Sequence, residues 1–244
     1  MTGFERQWQK RFEKFATRHQ TDYLISGWSA AGLRRRVATF EGLLDHGLLS
    51  PDARALELGC GAGTYVRLLA KRGHPVIGLD YSLPSLRRAI AADLPQVGKY
   101  VAGDASCVPF HDRSFGAVAC IGVLQALERP VTALGEIARI LEPGGVAVIE
   151  TLNPWSPLAA LRRLSALVRR QPTRLHYSSP RAVERGMASR GLRPVRRISI
   201  LLPPRSLPGL ERALGRSWLI RAFQSVPGIR ALAPQAYWII GVKA

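Results

Sequence analysis

Cysteine and long apolar runs are scarce in this 244-residue chain. Cys60, Cys107 and Cys120 are widely spaced and odd in number, with no C-x-x-C or histidine pattern beside them. This argues against a disulfide framework and against a zinc site. No segment approaches the ~20 apolar residues of a membrane span, and the charged stretch from Glu5 to Arg18 contains no apolar signal core. We therefore expect a cytoplasmic protein with reduced cysteines.

Acidic residues are almost missing from residues 151–244. This stretch carries 17 lysine and arginine residues against only Glu184 and Glu211, whereas residues 1–150 carry 18 against 15. Of the net charge of +18, the tail therefore holds +15. Such asymmetry indicates an anionic partner, which could be nucleic acid, a membrane surface or an acidic substrate. A solvated face in an arginine-rich protein is the alternative.

A glycine-rich loop between an apolar strand and a helix is the most informative feature that is present. Residues 55–58 end a short buried strand, Gly59, Gly61 and Gly63 alternate along the loop, and the next helix closes on Gly73. Glycines let the backbone approach a ligand closely, and the first amide groups of the helix point back at that ligand. A dinucleotide fingerprint spaces its last two glycines three residues apart, so the spacing here disfavours NAD.

An acidic residue ends the next predicted strand, as expected of a nucleoside site. The strand at residues 75–79 runs into Asp80, whose carboxylate can take both hydroxyls of a ribose. The alternative is that Asp80 only caps the following helix.

Over about residues 45–150, these features resemble the class I S-adenosylmethionine-dependent methyltransferases, especially their type 11 domain. Residues 57–63 match the E-x-G-x-G-x-G loop, and Asp80 matches the ribose acid. In the segment 103–110, Asp104 matches the aspartate that contacts the adenine amino group. The resemblance implies S-adenosylmethionine as cofactor, S-adenosylhomocysteine as product and no metal. The cofactor-binding residues that it implies are Glu57, Gly59, Cys60, Gly61, Gly63, Asp80, Tyr81, Asp104, Ala105 and Ile121.

Strands and helices alternate after the loop, which predicts a parallel sheet with helices on both faces. The expected strands lie near residues 75–80, 97–102, 115–121, 144–150, 194–202 and 236–242, with helices near 84–92, 130–140 and 180–190. The resemblance implies an α/β, Rossmann-like class I methyltransferase fold with a seven-stranded, mostly parallel sheet and an antiparallel last strand. We divide the chain into an N-terminal helical cap (1–48), a cofactor-binding core (49–152) and a basic C-terminal part (153–244) that completes the sheet and carries amphipathic helical insertions.

Two stretches of the tail are apolar and basic at helical spacing. Residues 157–170 place most leucines on one side of a helix and two arginine pairs towards the other, and residues 207–232 repeat the pattern. Basic amphipathic helices of this kind lie on anionic surfaces, which predicts a peripheral contact with an anionic membrane. Packing against the main domain is an equal alternative.

The catalytic candidates come from the resemblance, because related methyltransferases carry histidine or tyrosine before the helix that leads to the sixth strand. Here His176 and Tyr177 occupy that position, and histidine suits proton removal near neutral pH. An exposed histidine without a role is the alternative. The family often has a histidine pair after the fourth strand, but this chain has Gln125 and Ala126, so no base carries over there. Candidate acceptor-pocket residues are Tyr23, Trp28, Leu124, Gln125 and Asn153.

We therefore predict a methyltransferase that acts on a small-molecule or lipid-like acceptor at oxygen or carbon, by in-line displacement. An RNA methyltransferase that uses the basic C-terminal surface is one alternative. The Asn/Asp-Pro-Pro-aromatic signature of enzymes that methylate exocyclic amines is missing from residues 121–124, which makes nucleic acid the weaker choice. A protein that binds the cofactor without catalysis is the other alternative.

Overall fold

The computed structural model describes residues 2–93, 97–170, 175–201 and 234–244. Within these residues the chain forms eight α-helices and seven strands. The helices are α1 (Gly3–Arg18), α2 (Asp22–Ile25), α3 (Ala30–Asp45), α4 (Thr64–Lys71), α5 (Leu83–Ala92), α6 (Pro130–Ile140), α7 (Pro157–Val168) and α8 (Pro180–Ala188). The strands are β1 (Ala55–Leu58), β2 (Val76–Asp80), β3 (Lys99–Ala102), β4 (Phe115–Cys120), β5 (Leu141–Leu152), β6 (Leu192–Ile200) and β7 (Ala236–Lys243).

The strands form one sheet in the order β3-β2-β1-β4-β5-β7-β6. Strand β7 runs antiparallel to β5 and β6, whereas the pairs from β3 to β5 are parallel. This confirms the predicted fold class and the antiparallel last strand. The carboxyl ends of β1, β2, β4 and β5 therefore meet at one edge of the sheet, where ligands bind in sheets of this type.

Both faces of the sheet are covered, because the central strands are buried on both sides. From β1, Leu56 and Leu58 pack with α6 and α8 on one face. Ala55 packs with Phe40 of α3 and Tyr65 of α4 on the other face. Helix α4 buries Tyr65, Val66 and Leu69, which share one side of the helix.

The observed element boundaries differ from the predicted ones mainly in β5. This strand begins at Leu141 and not near residue 144, because Leu141 pairs with Phe115 ahead of a register shift at the start of β4. Strand β6 begins two residues before the predicted start. The predicted amphipathic stretch 207–232 lies outside the described residues.

Helices α1 to α3 precede the cofactor loop along the chain. Helix α1 begins with a capping box between Thr2 and Glu5, and it packs on α5, where Arg88 donates to the Ala16 carbonyl at 3.1 Å. No helix in the described part of the chain is both long and apolar enough to cross a membrane.

Candidate cofactor-binding site

The glycine loop needs its glycines for two reasons. Gly59, Gly61 and Gly63 adopt φ angles of +74°, +51° and +76°, a region that side chains rarely enter. A Cβ atom at Gly59 would also stand 2.3 Å from Cγ2 of Val123, the residue that precedes the 3₁₀ turn Leu124–Ala126. The loop therefore folds back closely on the end of β4.

Glu57 holds the start of α4. The N-cap of this helix is Gly63, which has no side chain to offer, and the Glu57 carboxylate accepts a hydrogen bond from the Val66 backbone N–H at 2.8 Å. A carboxylate at this position satisfies an amide group that the helix itself leaves unpaired. Burial raises the pKa of Glu57 well above its ordinary value of 4.5.

Asp80 ends β2 beside the loop. Its two oxygens accept from the Gly61 and Ser82 backbone N–H groups, each at 2.8 Å. The N-cap of α5 is Ser82, whose hydroxyl accepts from the Ser85 N–H, so the cap of that helix is not Asp80. Burial raises the pKa of Asp80, while the bonds from these backbone amides act in the opposite direction.

A cavity of about 800 Å³, counted with its open mouth, lies at the carboxyl ends of β1, β2 and β4. Its volume is within the range of small-molecule sites. Three carboxylates, of Glu57, Asp80 and Asp104, and four aromatic side chains line it. The aromatic residues are Phe12, Trp28, Tyr65 and Tyr81.

The cavity also contains polar groups without partners. The hydroxyl oxygens of Tyr65 and Tyr81 are buried, and no described residue forms a hydrogen bond with either. Burial raises the pKa of both hydroxyls, so they stay protonated donors at neutral pH. A nucleoside-type ligand, with ribose hydroxyls for Asp80 and acceptor atoms for these hydroxyls, fits the glycine cradle and its surroundings.

Trp28 forms part of the cavity wall. Its indole ring lies against Gly122, where a Cβ atom would stand 2.6 Å from Cζ2 of Trp28. On its other side the Arg36 guanidinium lies 4.3 Å from the ring centroid, which is a cation–π contact. Arg36 is itself held by Glu150 at 2.7 Å, and both side chains are buried.

The structure brings together nine of the ten predicted cofactor-binding residues. They line this cavity, while Gly63 lies just outside it as the N-cap of α4. Of the predicted acceptor-pocket residues, Trp28 lines the cavity. Tyr23, Leu124, Gln125 and Asn153 are not among its lining residues.

Asn153 is occupied by backbone contacts at the end of β5. Its amide nitrogen donates to the Pro234 carbonyl at 2.8 Å, and its amide oxygen accepts from the Trp155 N–H at 3.1 Å. The residue is completely buried. The geometry therefore gives Asn153 a structural position in the chain turn that follows β5.

His176 and Tyr177 lie next to the 3₁₀ turn rather than along the cavity wall. The His176 backbone N–H donates to the Gln125 carbonyl at 2.9 Å, and burial lowers the pKa of the half-buried His176 ring. Tyr177 is contacted from α7, where Arg163 lies 5.4 Å from its ring centroid.

The sequence reasoning missed several lining residues, among them Phe12, Ser26, Tyr65, Ser85 and Val123. Phe12 lies within the predicted N-terminal helical cap, where an apolar side chain is equally typical of core packing. Tyr65 directly follows the loop, so its position in sequence was a usable signal. Ser26 and Val123 give no such signal, because tertiary packing alone brings them to the loop. Among the described residues, no cluster of three or more metal-ligating side chains occurs.

The sheet order, the glycine cradle and the acid at the end of β2 define an α/β protein of the class I methyltransferase type. Residues 56–149 match the model of the Methyltransferase domain family. Over these residues the chain carries a methyltransferase domain.

Curated relatives match the same region. The bifunctional biotin-biosynthesis protein BioHC of Cellvibrio japonicus is 38% identical over 136 residues, which is 55% of this chain and 26% of that protein. The demethylmenaquinone methyltransferase of Roseiflexus castenholzii is 31% identical over 157 residues, which is 62% of each chain. The chain thus spans between about a quarter and three-fifths of the length of these relatives.

Solved structures share the fold over most of the chain. An S-adenosylmethionine-dependent methyltransferase of Methanosarcina mazei aligns with a TM-score of 0.62 at 18% identity, covering 82% of this chain and 96% of that one. One of Mesorhizobium loti aligns with a TM-score of 0.61 at 19% identity, covering 84% and 98%.

Proposed function

We propose that this protein transfers a methyl group from S-adenosylmethionine to a small-molecule or lipid-like acceptor, at an oxygen or carbon atom. One observation carries the proposal: the glycine cradle, Asp80 and Asp104 border the same cavity as the aromatic wall of Phe12 and Trp28. The relatives support a small acceptor, since their names include demethylmenaquinone methyltransferase and ubiquinone biosynthesis O-methyltransferase.

The residues of the chain would act mainly by binding and orientation. Bound S-adenosylmethionine supplies a methyl group on a sulfonium, which is already a good leaving group. Asp80 would hold the ribose hydroxyls, and the glycine backbone would allow close approach. Trp28 would exclude water and orient the acceptor for in-line displacement. Orientation of this kind supplies effective molarities of roughly 10⁵ to 10⁸ M.

A base is needed only where the acceptor loses a proton, and His176 remains the proposed base, with Tyr177 as the second candidate. Because burial lowers the pKa of His176, its imidazole is neutral at neutral pH and can accept a proton. If His176 has this role, the transfer rate falls as pH falls through that lowered pKa. His176→Ala should then slow transfer and remove this pH dependence without weakening cofactor binding.

In the first experiment, methyl-labelled S-adenosylmethionine and the purified protein are added to a cell extract. The extract is then separated into lipid, metabolite, RNA and protein fractions. Label in the lipid or metabolite fraction supports the proposal. Label in RNA would instead support the alternative in which the basic C-terminal surface binds RNA. Cofactor binding without label in any fraction would favour a non-catalytic protein.

The variant Asp80→Ala tests the role of Asp80 in cofactor binding. It should weaken binding of S-adenosylhomocysteine by about 10- to 100-fold or more, because charge-assisted hydrogen bonds are lost, and it should abolish labelling. Asp112→Ala is the control, since Asp112 is an exposed partner of Arg139 and is not among the residues that line the cavity. Equal affinity in the two variants would contradict the assignment of Asp80.

A further inference from the structure

Helix α7 presents its apolar side to solvent. We name its exposed apolar residues the leucine ridge: Leu161, Leu164, Leu167 and Val168, which are 58 to 75% exposed. Leu161, Leu164 and Val168 follow each other at the spacing of one helix face. The residue of α7 that is buried against the protein is the small Ala159. An exposed stripe of large aliphatic side chains on one helix marks an interaction surface.

The arginines of α7 turn towards the protein side of the helix. Arg163 donates to the Pro154 carbonyl at 2.9 Å and lies over the Tyr177 ring, while Arg162 donates to the Tyr177 hydroxyl at 3.4 Å. The leucine ridge therefore points away from the molecule with guanidinium groups behind and beside it. Arg169 and Arg170 are exposed at the C-terminal end of the helix.

We propose that α7 docks this protein on an anionic phospholipid bilayer, with the leucine ridge among the acyl chains and the arginines at the headgroup phosphates. Apolar residues outermost and cations one layer behind match the order of layers in a bilayer surface. Trp155, 58% exposed just before the helix, has the amphipathic ring that favours the interface.

The charge of the region favours lipid over two other occupants. Residues 151–183 contain no acidic residue. A second copy of the chain would bring two sets of arginines together across a two-fold axis, which like-charge repulsion opposes. Residues 202–233 of the same chain carry five arginines against one acid, so they would also bring positive charge to α7.

The position of α7 connects this surface with the cavity. The helix follows the carboxyl end of β5, at the same sheet edge as the ends of β1, β2 and β4. Residues 176 and 177 join it to the 3₁₀ turn through the His176–Gln125 backbone bond. Docking through α7 would therefore hold this edge close to the bilayer, where a lipid-like acceptor would enter. This last step rests on the proposed function, but the docking itself does not.

The test uses the full chain and vesicles of phosphatidylcholine with about 30% phosphatidylglycerol. We expect the wild-type protein to float with these vesicles and to bind pure phosphatidylcholine much more weakly. Leu161→Gln, Leu164→Gln and Leu167→Gln combined should weaken binding to the anionic vesicles by about tenfold or more, because three apolar side chains no longer enter the acyl region.

The matched control removes three exposed apolar residues elsewhere: Leu83→Gln, Ile90→Gln and Val131→Gln, which are 43 to 55% exposed in the wild type. This variant should bind within about twofold of wild type. Circular dichroism and the affinity for S-adenosylhomocysteine should be unchanged in both, which separates docking from the folding of the cofactor site.

Two results would overturn the proposal. One is vesicle binding by the ridge variant that equals wild type, since docking would then not use the ridge. The other is a wild-type dimer, seen by light scattering, that the ridge variant dissociates, because the ridge would then be a subunit interface. Vesicle binding by a protein that does not bind S-adenosylhomocysteine would contradict only the proposed methyltransferase function.

Discussion

At Gly59, the cofactor loop depends on a side chain that is only a hydrogen atom. A larger residue here would destabilise the fold in two separate ways. It would have to adopt the unfavourable φ angle of +74°, and its Cβ atom would stand 2.3 Å from Val123. Gly73, after α4, has a similar φ angle of +85° but nothing within 4 Å of a Cβ atom. The two positions therefore separate backbone strain from steric overlap.

We expect Gly73→Ala to lower the free energy of unfolding by about 1 kcal/mol and Gly59→Ala by clearly more, since only the latter adds overlap. Adding Val123→Ala to Gly59→Ala should recover much of the excess over Gly73→Ala. The measurement is urea unfolding together with S-adenosylhomocysteine titration. If Val123→Ala brought no recovery, the overlap would not be the cause of the loss.

Glu57 gives a pH dependence with a defined sign. Its pKa in the folded protein is raised by burial above the ordinary value of 4.5 that it regains on unfolding. Between these two values the folded state binds more protons, so this residue makes the free energy of unfolding fall as pH rises through the window. Glu57→Gln should remove that contribution and give a flatter stability profile above pH 4.5.

Urea unfolding at a series of pH values checks this expectation. The exposed Glu142→Gln serves as a control for the loss of one carboxylate. Parallel profiles of wild type and Glu57→Gln would show that Glu57 does not titrate as its burial requires.

Among the elements, α3 is tied to the sheet by the buried pair of Arg36 and Glu150. The Trp238 indole N–H also donates to Glu150, at 3.3 Å, and Arg36 supports Trp28 at the cavity wall. The same helix makes a surface pair at its end, between Asp45 and Arg72, whose side chains are 60% and 35% exposed. One helix thus offers a buried ion pair and an exposed one for comparison.

Glu150→Gln should cost about 3 to 5 kcal/mol of unfolding free energy, because it leaves Arg36 as an uncompensated buried charge. Asp45→Asn should cost no more than about 1 kcal/mol, since water screens the exposed pair. Thermal or urea unfolding measures both. Similar losses for the two variants would mean that the buried pair is hydrated in solution.

At the scale of the whole molecule, charge is distributed very unevenly. The chain has a net charge of +18, most of it after residue 150, so its folded form repels itself at low ionic strength. We expect the thermal midpoint to rise by several degrees between about 0.05 and about 0.5 M NaCl, as screening shortens the range of that repulsion. A midpoint that falls with salt would show that favourable ion pairs outweigh the repulsion.

The sequence by itself determined the fold class, the loop and the acid at the end of β2. These are local patterns: glycines at fixed spacing, short apolar strands that alternate with helices, and a carboxylate at a strand end. Their order along the chain is enough to place them at one edge of a parallel sheet. For this reason nine of the ten residues assigned to the cofactor line one cavity.

Only the tertiary structure decided which residues from distant segments surround that cavity. Phe12, Ser26 and Val123 reach it through the packing of α1, α2 and the end of β4, and no sequence pattern encodes those distances. The same holds for the outward direction of the leucine ridge. Helical spacing shows that leucines share a face, but which face meets solvent depends on the surface beneath α7, against which Ala159 is buried.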